Sequence, residues 1–382
     1  ATIAFLILKW RVKGDLWGFT LSVFLSGLGL VEVYRLRPDL VLRQLFWFGL
    51  GLLALVLVAF LLRDYGVLEH YKYLSAAAGV LLLALTIALG EEVRGARAWL
   101  GLGRFRFEPS EFVKVLMILF LAGYLKSARE ALSRGVMRFL GLKIPDPFYF
   151  GPLVMMWAIS ITLLAFQRDL GTAFIFFGVF LAMLYVASGR ASYVIAGLAL
   201  LVLGAGASYH IFDHVRARIQ VWLHPWHDIE GKGYQIIQAL FAIGSGGLFG
   251  MGLGLGEPTL IPAAETDFVF PAFCEELGLF GGAAMLLAYL LLTYRGFRIA
   301  LECEEEFGSL LAAGIASLFG LQSFIIIGGS MRLLPLTGVT LPFVSYGGSS
   351  MLASFLAMGL MVKVSEKGRS PLRSTEVVDY RV

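Results

Sequence analysis

The chain has 382 residues, 58% of them hydrophobic and only 15% charged, with a mean hydropathy of +0.81. Soluble domains carry about 25% charged residues, so the composition excludes a water-soluble enzyme and predicts an integral membrane protein. The net charge of +4 is too small to define a partner, and no nucleic-acid partner is expected.

About 20 apolar residues cross a bilayer as a helix. Ten such spans are predicted, over 16–34, 44–62, 71–90, 109–125, 149–166, 170–188, 191–209, 270–294, 308–328 and 341–362. The expected fold is all-α: one polytopic membrane domain over 1–382 with about ten transmembrane helices. Residues 1–13 begin at Ala1 rather than Met, are too short for a span and carry no assigned function. An even number of spans puts both termini on one side, expected to be cytoplasmic, which makes 363–382 a cytoplasmic tail and 210–269 a large extracytoplasmic loop. Cytoplasmic segments then hold 18 Lys and Arg against 12 outside, in line with the positive-inside rule. Eleven of those twelve are Arg, whose fork suits phosphate; anionic lipid headgroups would account for them equally well. Cys274 and Cys303 fall on opposite faces, so no disulfide is expected.

Along the chain, Gly95-Ala96-Arg97 precedes Arg104-Phe105-Arg106-Phe107, an extended segment in which alternate side chains face opposite ways. It either presents cations to an anion or anchors the chain at the interface. Glu111 and Lys114 lie three apart on one helix face and are expected to form an ion pair turned into the bundle. Gln167, Arg168, Asp169 and Thr172 gather at a hinge between two spans, where Thr172 is a candidate helix cap. Residues 211–223 read as an amphipathic interfacial helix with Arg216 and Arg218 toward headgroups, followed by Lys232. The glycine-dense stretch 244–256 permits close approach of backbone to a ligand. Its spacing fits no nucleotide fingerprint or P-loop, so no nucleotide is expected. Four histidines, His210, His214, His224 and His227, crowd this loop, but Pro225 breaks any helix that would pair them around a metal.

Asp267 is an acid set at the start of a long apolar span. A carboxylate there is costly to desolvate; Asp267 is a candidate general base, and Thr266 or Asp267 a candidate cap for the helix that follows, two roles that can hold together. Near the last span, Ser345, Tyr346 and Ser349 bring hydroxyls among glycines, an arrangement that suits ligand binding or close helix packing.

Taken in order, Gly95-Ala96-Arg97, Pro109-Ser110-Glu111, Gln167 with Asp169 to Thr172, Gly233-Tyr234-Gln235, Thr266-Asp267-Phe268, Glu275 to Leu279 and Leu341 to Ser350 resemble the SEDS family (shape, elongation, division and sporulation). The resemblance runs from about residue 15 to 365. It implies a glycosyltransferase that polymerises lipid II, a lipid-linked disaccharide-peptide on an undecaprenyl-type pyrophosphate, at the outer face of the bacterial cytoplasmic membrane. It also implies a class B penicillin-binding protein and other elongation-complex membrane proteins as partners. The family's essential acid falls on Asp267, its loop arginine on Arg97 and its ion pair on Glu111 and Lys114. Candidate substrate contacts are Arg97, Gln167, Asp169, Thr172, Arg216, Arg218, Lys232, Ser345, Tyr346 and Ser349. Three positions depart from the family pattern: Arg168 stands for Pro, Glu265 for His and Glu108 for Gln.

On this reading Asp267 takes the proton from an acceptor sugar hydroxyl while arginines receive the departing diphosphate; magnesium or manganese is an optional aid there. The short tails lean toward an elongation role over division. Two other readings stand beside it: a lipid II flippase, which the charges Glu32, Glu111 and Lys114 would suit, and a non-catalytic scaffold for a penicillin-binding protein.

Overall fold

Each predicted span falls on a helix, because in hydrocarbon the backbone can satisfy itself only within its own segment or a closed sheet. In the computed structural model, residues 1–11, 14–93, 96–102, 105–134, 137–139, 142–144 and 147–367 are described. The helices are α1 (Thr2–Arg11), α2 (Trp17–Leu36), α3 (Val41–Leu61), α4 (Val67–His70), α5 (Lys72–Leu89), α6 (Pro109–Arg134), α7 (Pro147–Phe166) and α8 (Leu170–Ser188). They continue as α9 (Ala191–Ile211), α10 (Asp213–Leu223), α11 (Tyr234–Gly246), α12 (Val269–Glu302), α13 (Glu306–Ser330) and α14 (Gly348–Lys367). Five short strands interrupt them: β1 (Glu91–Val93), β2 (Ala96–Leu102) and β3 (Phe105–Phe107) form an antiparallel sheet in that order, and β4 (Met137–Phe139) pairs with β5 (Leu142–Ile144).

Among the described residues eight helices are long and apolar enough to cross a membrane: α2, α3 with its leading turn, α5, α8, α9, α12, α13 and α14. The other two predicted spans lie on α7, whose apolar stretch is Leu153–Phe166, and on α6, whose Glu111, Lys114 and Lys126 dilute an otherwise apolar sequence. The protein is multi-pass and almost wholly helical.

The last span differs from the sequence reading at both ends. The last span begins at Gly348 rather than 341, because Pro342 and the bonds made by Ser345 hold 341–347 in a non-helical turn. It also runs on to Lys367, which reaches Asp64 at 3.0 Å and Glu305 at 3.4 Å; the remainder of the expected tail, 368–382, lies outside the described residues.

The core sits around α13 and α14, buried over 83% and 78% of their apolar windows, with α8 next at 61%; α9, at 6%, is peripheral. Contacts sort the connections into two ends. At one end Arg168 meets Glu92, Arg37 meets Glu265, and Trp222 Nε1 donates to Arg332 O. At the other, Lys126 meets Glu69, Arg129 meets Glu306, and Arg295 meets Asp15.

The glycine-dense segment seals a break in α12. Gly278 (φ 68°, ψ −169°) is non-helical, which strands carbonyls before it and N–H groups after it. Met251 N and Gly252 N donate to Glu275 O and Glu276 O at 2.9 and 3.0 Å, while Leu279 N and Phe280 N donate to Gly247 O and Leu248 O at 2.9 and 3.2 Å. Every severed group named there is repaired, as a membrane interior requires. A Cβ on Gly250 would stand 2.1 Å from Glu276 O. The close approach expected of these glycines is therefore to the chain itself.

Candidate active site

Asp267 sits in a tight turn just ahead of α12. Thr266 N, Thr266 Oγ1 and Asp267 N all donate to Ala263 O, at 3.1, 3.2 and 3.2 Å. The N-cap of α12 is Phe268, with no side-chain cap, so Thr266 spends its hydroxyl inside the turn rather than on the helix. Two bonds fix this turn to the segment before α14: Ser345 Oγ donates to Thr266 O at 2.5 Å, and Tyr346 N donates to Glu265 O at 2.8 Å. Phe268 beneath is fully buried. The Asp267 carboxylate, half-buried, is left at the surface of this anchored turn.

Arg218 approaches from α10. Val215 buries one face of that helix, and Arg218, three residues on, shares it. Its Nη1 donates to Leu336 O at 3.1 Å and Thr337 O at 3.0 Å. The next residue, Gly338, has φ 72°, and a Cβ there would lie 3.8 Å from Asp267 Oδ2 and 4.0 Å from Arg218 Nη2. Burial lowers the Arg218 pKa, while the negative charges of Asp169 and Asp267 act the other way. Arg216 takes the opposite face, with Asp213 at 3.7 Å and the Tyr209 ring at 5.7 Å. The expectation that both arginines point to headgroups thus fails for Arg218, because the helix face that Val215 buries carries it inward.

Asp169 caps α8, accepting Thr172 N at 3.0 Å; the cap is Asp169 and not Thr172. Gly171 sets α8 against the same loop, since a Cβ there would meet Thr337 O at 2.7 Å. Thr172 Oγ1 is buried with no hydrogen-bond partner among the described residues. Behind them Glu111 and Lys114 pair at 2.7 Å, Lys114 donates to Gln322 Oε1 at 3.0 Å, and Gln322 Nε2 donates to Thr340 O at 2.8 Å. The ion pair is thereby wired to the loop that holds Gly338. Glu108 stands at the head of α6, bonded by Ser110 Oγ at 3.0 Å; burial, with Glu111 and Asp169 adding, pushes its carboxyl up to about 8.

The remaining candidates are placed as follows. Gln167 is buried and donates to Leu83 O at 2.8 Å. Ser349 Oγ accepts Glu108 N at 2.9 Å. Lys232 is exposed, its backbone N–H bonded to Asp228 at 3.0 Å. Arg97 lies in β2, and its side chain, like all of Arg104, falls outside the described residues. Several of the arginines that suggested an anion are taken by the protein: Arg35 by Glu276, Arg37 by Asp39, Arg106 by Glu91, and Arg332 by the carbonyls of Trp222 and Leu223 that end α10. Arg168, 58% exposed and 3.9 Å from Glu92, is held loosely. Among the described residues no group of three or more His, Cys, Asp or Glu is arranged to hold a metal.

Sequence reasoning missed Gly338 and the Leu336 and Thr337 carbonyls; a glycine between Thr337 and Val339 was the available signal. His214, weighed in the sequence only for a metal, lies one turn before Arg218, and its pKa is lowered by burial and by Arg218 and Arg168.

A bundle of this many long apolar helices defines a polytopic membrane protein. The family model described as cell cycle protein, covering FtsW, RodA and SpoVE, matches residues 14–370. The chain belongs to this family. It is 41% identical over 362 residues to peptidoglycan glycosyltransferase RodA of Mycobacterium leprae, covering 92% of this chain and 77% of that protein. It is 38% identical over 339 residues to stage V sporulation protein E of Bacillus subtilis, covering 86% and 87%. Among solved structures, a chain of a peptidoglycan synthase complex that coordinates polymerization and crosslinking superposes with a TM-score of 0.79 at 30% identity, covering 94% of this chain and 99% of that one. Thermus thermophilus rod shape determining protein RodA gives 0.68 at 26%, covering 94% and 98%.

Proposed function

We propose that this chain is a peptidoglycan glycosyltransferase that polymerises lipid II, with Asp267 as general base. The observation that carries the reading is the half-buried carboxylate of Asp267 near the half-buried guanidinium of Arg218, both against Gly338. A base must be held in a partly water-excluded place within reach of the hydroxyl it deprotonates. Asp267 accepts the proton of the acceptor sugar's 4-hydroxyl as that oxygen attacks the donor's anomeric carbon. The bond to the diphosphate breaks in the same displacement, and its electron pair leaves with the diphosphate. Arg218, its Nη1 occupied by two carbonyls, sets a positive charge near Asp267. Arg97 is the first choice to receive the leaving diphosphate, since cations are worth most where charge develops.

The membrane is the bacterial cytoplasmic membrane, with both termini in the cytoplasm and the Asp267 end outside, where the positive-inside count puts it. The likeness to a chain of a peptidoglycan synthase complex supports partnership with a class B penicillin-binding protein. The role is elongation and cell shape, supported by the RodA-named relatives.

The test is reconstitution of the chain in liposomes with lipid II, alone and with a penicillin-binding protein, scoring glycan and lipid movement together. Glycan product supports the reading. Lipid translocation without glycan overturns it in favour of a flippase, and neither product without the partner's own polymerising activity points to a scaffold.

A further inference from the structure

Where α2 packs on α12, three acids and one arginine meet in a place the proposed reaction leaves unused. Glu32 is 2% exposed and Glu276 1%. Arg35, one turn beyond Glu32, donates through Nε to Glu276 Oε1 at 2.9 Å and through Nη2 to Gly256 O at 2.8 Å. Glu275 is occupied, its Oε1 accepting Glu257 N at 3.0 Å. Two oxygens are left over: Glu32 Oε1 and Glu276 Oε2 are buried and have no partner among the described residues. The charged groups around Glu32 are Arg35 on its own helix and Glu275 and Glu276 on α12, and the Cys274 thiol also faces it.

Two carboxylates sharing one dry site cannot both ionise against a single guanidinium. A metal would relieve them, but no metal-holding group of three exists among the described residues. One proton relieves them equally and gives each orphan oxygen a partner. We infer that Glu32 and Glu276 share one proton and, with Arg35, clamp α2 to the half-helix that carries Asp267. The proton sits between Glu32 Oε1 and Glu276 Oε2, while the other Glu276 oxygen accepts Arg35 Nε.

The consequence reaches the site along a short lever. The first half of α12 ends at the Gly278 break, and Asp267 stands nine residues before Glu276, about 13 Å along a helix. Losing the shared proton would set two carboxylates against each other and push this half-helix off α2, carrying Asp267 away from Arg218. Glu32 and Glu276 are positioning residues, and the inference rests on Asp267 being the base.

The test uses the full chain in lipid nanodiscs, comparing wild type with Glu32→Gln and Glu32→Ala. Gln keeps a neutral hydrogen-bond donor, so it should retain polymerisation within about threefold, whereas Ala should lose at least about tenfold. Infrared spectroscopy should show the carbonyl stretch of a protonated carboxyl in wild type at neutral pH that is missing in Glu32→Gln. The inference is overturned by an unchanged band in Glu32→Gln, by a Gln variant as inactive as Ala, by a fully active Ala variant, or by a wild-type band that is absent while stability depends on sodium or potassium. If the Ala variant fails to fold, the infrared comparison of wild type and Gln decides. Asp267→Asn serves as the separate control: should it stay active, the base assignment falls while the band still reports on the shared proton.

Discussion

Asp267 Oδ2 and Arg218 Nη2 face each other across one glycine, each within about 4 Å of the space a Cβ on Gly338 would fill. Gly338→Ala therefore intrudes on both groups. The left-handed backbone alone costs about 1–2 kcal/mol, a modest loss of thermal stability. Polymerisation should fall much further than stability, by at least about tenfold. A variant that loses both in proportion would mean that the glycine serves the fold alone.

Arg218 joins two backbone carbonyls through one fork arm while its other arm approaches Asp267. Arg218→Lys keeps the charge but not the fork. We expect a loss of about 2 kcal/mol in stability and a kcat reduced by at least about tenfold, with lipid II affinity little changed. A raised Kd with unchanged kcat would instead make Arg218 a substrate ligand.

Lys114 and Glu111 form a buried pair within the bundle. Removing one partner strands the other, so Lys114→Met should cost about 3–5 kcal/mol, measured by thermal unfolding in detergent. The double variant with Glu111→Gln should recover much of that loss, since no unpaired charge remains. No recovery would indicate that the pair does more than balance charge.

Glu108 titrates at about 8 rather than its ordinary 4.5. Between those values the folded chain keeps a proton that the unfolded chain has released, so stability falls as pH rises through the window and levels above it. Glu108→Gln carries no such proton, and its stability between pH about 5 and about 8 should decline less than wild type's. Parallel curves would show that Glu108 ionises normally.

The spans and the order of motif blocks were legible in the sequence because length, apolarity and residue order are properties of the line itself. The Glu111 and Lys114 geometry was legible for the same reason, since three residues on a helix fix a shared face. What the line does not carry is which face turns inward. Arg216 and Arg218 differ by two positions, yet one meets Asp213 and the other the Leu336 and Thr337 carbonyls, a choice made by packing around Val215. Likewise the glycines at 244–256 announced close approach but not its object, which is the broken backbone at Gly278. Ser345, read as suiting ligand binding or close packing, holds the Thr266 carbonyl, seventy-nine residues away.

The account turns on Asp267, and the most direct measurement is lipid II polymerisation by purified Asp267→Asn beside wild type, with lipid II binding recorded for both. Asn preserves shape and removes the base, so polymerisation should drop at least about a hundredfold while binding and thermal stability stay near wild type. A folded Asp267→Asn variant that still builds glycan at a wild-type rate would contradict the account.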